Sequence, residues 1–135
     1  MAKRRRGART ARPRSHHRPF DELVALALDS IPEPFASALD EVAIVIADEP
    51  SADQRRENDV GPDDTLYGLY EGVPRTEWGA DWAPVPNRIT LFRLPLEEDY
   101  PDPDELADEV WITVIHELAH HLGIDDDRLE ELGID

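Results

Sequence analysis

Residues 116–127, HELAHHLGIDDD, place three histidines, one glutamate and three aspartates within a dozen positions. His116 and His120 are four apart. On a helix that spacing is one turn, about 40° around the axis, so both imidazoles share a flank. Two such rings can offer nitrogens to one zinc ion at about 2.0–2.1 Å. Glu117 lies one residue on and points to a different side of the ion, which suits a base acting on metal-activated water better than a ligand. A catalytic zinc needs a third protein ligand and an open fourth position. Gly123 can take the left-handed conformation that ends a helix, so the chain can double back over the histidines. That return brings Asp125, Asp126 or Asp127 above them. Asp127-Arg128-Leu129-Glu130 reads as a capping box for a last helical turn, RLEELG. Asp126 is therefore the expected ligand and Asp125 the fallback. His121, about 100° beyond His120, is expected outside the ligand set. Two neutral imidazoles and one carboxylate leave the centre positive, which favours ionisation of water near neutral pH. The bland alternative is a pair of solvated surface histidines. Gly123 and Asp126 make the longer pattern much more specific than the His-Glu-x-x-His letters alone.

The elements that must position these residues follow from capping and periodicity. Asp102 can cap a helix with Pro103 at its first position, and the pattern runs to Leu122. Val110, Trp111, Val114, Ile115, Leu118 and Leu122 form its apolar stripe. Phe20-Asp21 reads as a staple residue and N-cap before a helix, ELVALALDS, that ends at Pro32 and Pro34. A short helical turn is expected in PFASALDEV. VAIVIAD, residues 42–48, is a continuous β-branched run and is expected to be a strand buried on both faces. EPSADQRRENDVGPDDT reads as a surface loop. LYGLYEG, 66–72, is a strand in which Gly68 marks a bulge or a close backbone approach. VPRTEWGADWAPVPN reads as a long loop, and RITLFRL, 88–94, as a third strand. The order helix, strand, strand, strand, helix predicts an α+β domain with a small sheet.

The chain has 135 residues, enough for one domain with one core. No run of about 18 apolar residues predicts a membrane span, and no apolar secretory segment follows the charged N-terminus, so the cytoplasm is expected. Cysteine is absent, so any zinc must be held by nitrogen and oxygen. Charge is split sharply: residues 1–19 hold eight of the fourteen basic residues and no acid. The other six basic residues face all 31 acids, a surplus of 25 negative charges. Residues 1–18 are expected to be a disordered basic tail and 19–135 the folded domain. The tail could contact nucleic acid, but a body this acidic repels it, so that is not the main role.

HELAHHLGIDD resembles the His-Glu-x-x-His-x-x-Gly-x-x-Asp signature of a family of minimal zincin-like metallopeptidases, bacterial relatives of the metzincins. The stretches FDELVALALDSIPEPFASALDEVAIVIADEP, LYGLYEGVP, PNRITLFRLPLE and VWITVIHELAHHLGIDDDRLEELGI are similar to that family in the same order, covering residues 19–135. The resemblance implies a small mixed sheet of about three to four strands on two main helices, with the active-site helix near the C-terminus. It also implies that His116, His120 and Asp126 hold one zinc ion with Glu117 as general base. Two features depart from larger metzincins: the third ligand is Asp rather than His, and no methionine turn exists, since the only methionine is Met1. The expected activity is zinc-dependent peptide hydrolysis on a peptide or protein substrate, by a monomer that does not engage membranes. The competing readings are a metal-binding or interaction module without useful turnover and a zinc hydrolase of a non-peptide amide. Tyr67, Tyr70, His121 and Arg128 are candidate donors to a developing oxyanion. An extended substrate would add to a sheet edge, RITLFRL or LYGLYEG, and the basic tail is itself a peptide that could cover the cleft.

Overall fold

The computed structural model describes residues 2–5, 17–72 and 87–133. In chain order they form β1 (Ala2–Arg5), α1 (His17–Asp29), α2 (Phe35–Ala38), a 3₁₀ turn (Leu39–Glu41), β2 (Val42–Ala47), α3 (Ala52–Glu57), β3 (Asp64–Glu71), β4 (Asn87–Phe92), α4 (Arg93–Asp99), α5 (Pro103–Leu122) and α6 (Asp126–Glu131). The architecture is α+β with a small mixed sheet, as the element order predicts. The strand order is β1-β3-β4-β2. β2 runs parallel to β4, while β3 is antiparallel to both β4 and β1.

α5 is the element that carries the chemistry, and both its ends are chemically defined. Asp102 accepts from the Glu105 N–H at 3.1 Å with Pro103 at the first position. Gly123, at φ 73°, closes the other end in the left-handed conformation that glycine adopts without steric cost. Val110, Val114, Ile115 and Leu118 of α5 are fully buried against Phe20 and Val24 of α1, Ile89 and Leu91 of β4, and Tyr67 of β3. Each large apolar side chain so buried stabilises the fold by about 1.5–3 kcal/mol. Trp111 and Leu122 flank this stripe and are only partly buried.

The approach of α5 to β3 depends on Gly68. A Cβ at that position would lie 2.5 Å from the Thr113 Cγ2. Gly68 thus marks the close approach that its place in LYGLYEG predicts. It lets β3 lie directly against the helix one turn before Glu117.

Several expectations change. α1 begins at His17, so Asp21 is inside the helix and Phe20 is a core residue rather than a staple outside it. β2 alternates: Val42 is buried while Ala43 and Val45 are exposed. It is an edge strand, and the second apolar cluster, Val60, Leu66, Leu69 and Phe92, reaches that face at Ala47, leaving Ala43 and Val45 exposed. The loop expected at 49–65 contains α3, capped by a Ser51–Gln54 box. β4 ends at Phe92, and the chain turns into α4 at Arg93 instead of continuing as strand. β4 also lies between β3 and β2, so it offers no edge to a substrate. Ala2–Arg5, within the tail expected to be disordered, form β1, because the β3 edge presents backbone groups that an extended segment can pair. The long loop expected at 73–86 lies outside the described residues.

Candidate active site

The end of α5 sets the site. Beyond Gly123 the Ile124 N–H returns to the Ala119 carbonyl at 2.8 Å, which turns the chain sharply back. α6 then starts at Asp126, two residues earlier than its expected start at Arg128. Its cap is Asp125, whose Oδ1 accepts from the Arg128 N–H at 2.9 Å. Asp127 is therefore not the cap. The same three-residue reach to a backbone N–H was available from Asp125, and the earlier start lengthens a short helix. Asp125 is engaged as a cap, so it is a poor fallback ligand. Asp126 is exposed, and its side chain forms no hydrogen bond or ion pair among the described residues.

A cavity of about 470 Å³ opens here, lined by Tyr70, Gly72, His120, Gly123, Ile124, Asp125 and Asp126. Both His120 and Asp126 line it. His116 is half-buried one turn back on α5 and does not line it. Glu117 is fully buried where α5 meets β3. Its Oε1 accepts from the Tyr70 N–H at 2.9 Å and lies 3.6 Å from His120 Nδ1. The carboxylate is thus fixed by the main chain of the adjacent strand and placed directly beneath one of the two signature histidines.

Zinc takes nitrogen and oxygen donors, and His116, His120 and Asp126 supply that chemistry. Among the described residues, no three His, Asp or Glu side chains stand close enough together to hold an ion as placed. The donor set fits the metal by type, and two of its three members line the same cavity.

The four candidate polar donors separate cleanly. Tyr67 is buried with its hydroxyl bound to Asp99 and its ring edge-on to Tyr100. Arg128 is paired with Glu131 at 2.8 Å and does not line the cavity. His121 is fully buried, with Nδ1 2.9 Å from the Tyr70 hydroxyl and Nε2 2.7 Å from Glu41 Oε1. Only Tyr70 reaches the cavity. Its main-chain grip on Glu117 and the role of Glu41 were not read from the sequence. These partners lie 47 and 80 residues apart along the chain, and no local pattern joins them.

Residues 39–134 match the family described as Zincin-like metallopeptidase. Among solved structures, the chain is similar to a conserved hypothetical protein from Thermo thermophilus. That likeness has 26% identity over 87% of this chain and 96% of that one, with a TM-score of 0.48. No curated protein matches.

Proposed function

The chain belongs to the zincin-like metallopeptidase family, and from that premise we propose that it hydrolyses peptide bonds with one zinc ion held by His116, His120 and Asp126. The observation that carries the reading is the placement of Glu117. It is a buried carboxylate anchored by a strand N–H and 3.6 Å from His120, and His120 in turn lines a cavity with Asp126. Zinc, once bound, supplies Lewis acidity that stabilises negative charge on a carbonyl oxygen and makes water a stronger acid. Glu117 takes the proton from the attacking water as its oxygen bonds to the carbonyl carbon. The C–N bond then breaks, and Glu117 returns that proton to the departing amine nitrogen. The Tyr70 N–H holds the carboxylate in register throughout.

Folded monomers of residues 19–135 would act on peptide or protein substrates. The surplus of 25 acids outside the basic tail favours cationic ones through long-range attraction. No helix among the described residues is long and apolar enough to cross a membrane.

The test is Glu117→Gln in zinc-loaded protein, assayed on a peptide library with and without a chelator. Hydrolysis should fall about 10²–10⁴-fold while zinc stays bound, as expected for loss of a general base. His116→Ala should instead weaken zinc binding itself. Equal rates in wild type and Glu117→Gln, both zinc-loaded, would leave only a metal-binding module.

A further inference from the structure

The edge of β3 that faces away from β4 carries two contacts along one line. Ala2–Arg5 pair with it antiparallel, Ala2 opposite Gly68, Lys3 opposite Leu66 and Arg5 opposite Asp64. Two residues beyond Gly68, the Tyr70 N–H is donated to Glu117 Oε1 at 2.9 Å. A strand N–H lies in the plane of the sheet, so one that reaches a helix carboxylate instead of β4 points along the outer edge. β1 and Glu117 therefore stand in line on that edge, with the Ala2 end of β1 toward Glu117. The cavity lined by Tyr70, Gly72 and His120 continues the same line.

An extended peptide is held by a sheet edge through main-chain hydrogen bonds, and the sequence of the peptide matters little to that ladder. A substrate lying on this edge antiparallel to β3 would run from the cavity toward Asp64. Its bond to be cleaved would lie at Glu117 and His120, and the residues after that bond would follow Gly68 to Asp64. Ala2–Arg5 already hold that ground. We propose that β1 is a resident competitor of substrate: a basic peptide binds the Asp64–Gly68 edge only by displacing Ala2–Arg5. The proposal deepens the peptidase reading and rests on it. Charge agrees with it, since Lys3-Arg4-Arg5 is a basic segment of the kind that the acidic body attracts. So does the weakness of the ladder. β1 has four residues, its register is broken between Ala2 and Lys3, and a short strand near a chain end opens at little cost.

A strand that merely covered an edge would behave differently. Lys3→Pro with Arg5→Pro, in the zinc-loaded full chain, removes two backbone donors and should unseat β1. KM for a peptide substrate should fall about ten-fold with kcat nearly unchanged, because the competent fraction of the enzyme rises while the chemistry is untouched. Lys3→Gln with Arg5→Gln removes the same charges, keeps both N–H groups and should leave KM as in the unaltered chain. Added acetyl-Ala-Lys-Arg-Arg-amide should inhibit the proline variant competitively. A second measurement leaves β1 intact. In Glu117→Gln, an uncleaved basic peptide should move the Lys3 and Arg5 amide signals in NMR spectra to those of an unpaired chain. An unchanged or raised KM in the proline variant, an equal fall in the glutamine variant, or bound peptide with β1 still paired would overturn the competition and leave the peptidase reading standing. Displacement of β1 by peptide, without hydrolysis by the chain that keeps Glu117, would support the competition and overturn the peptidase reading.

Discussion

Arg93 and His121 are both buried beside carboxylates, yet their networks end differently. Arg93 is 1% exposed and is held by Asp48 at 2.9 Å and Glu97 at 2.8 Å. That network ties the end of β2 to the start of α4, away from the cavity that His120 and Asp126 line. The His121 network links Glu41 to Tyr70, and Tyr70 lines a cavity together with His120 and Asp126. Burial of a polar group is therefore not the mark of a site. Connection to a cavity lined by candidate metal ligands is.

Cutting the Arg93 network should give the largest change in stability and none in binding. Asp48→Ala removes the partner of two Arg93 nitrogens. Breaking a buried ion pair from one side costs about 3–5 kcal/mol, and the partial exposure of Asp48 and Glu97 lowers the expected loss to about 3 kcal/mol. Urea unfolding checks this. Zinc affinity and KM of the folded fraction should match wild type, and a raised KM would erase the distinction between the two networks.

Gly68→Ala tests the seam that joins the strand of Tyr70 to α5. The added methyl would meet Thr113 Cγ2, and overpacking of this kind costs about 1–3 kcal/mol. Because Gly68 is two residues from Tyr70, the strand should also shift from Glu117, so kcat should fall as well. Thr113→Ser removes the clashing methyl and should recover most of both losses. Recovery of stability without kcat would show that β3 does not set the base.

What could be read in the sequence was what local chemistry decides. Both ends of α5 were legible because Asp102, Pro103 and Gly123 act on their own neighbours. The Ser51–Gln54 box was equally local and was hidden only by the polar composition around it. The turn at Arg93 was not legible, since Arg93-Leu94 continues the alternation of β4. The helix start there is decided by partners at Asp48, 45 residues away. The candidate site divided in the same way. His116, Glu117, His120 and Asp126 stand in one stretch of sequence, whereas the strand N–H that fixes Glu117 and the Glu41 end of the histidine network exist only once the sheet has formed.

The smallest effects should separate two adjacent aspartates and reproduce the larger contrast. Asp125 is closed onto its own helix through the Arg128 N–H, so Asp125→Ala should cost about 1 kcal/mol of stability and leave zinc affinity unchanged. Asp127→Ala, at the position first expected to cap, should cost no more than about 0.5 kcal/mol. Asp126 faces the cavity and has no partner among the described residues, so Asp126→Ala should weaken zinc binding with little change in melting temperature. Thermal melts and zinc titration of the three variants check this. If Asp125→Ala loses the metal and Asp126→Ala keeps it, the carboxylate that completes the centre is the one now capping α6, and the cap must open before zinc can bind.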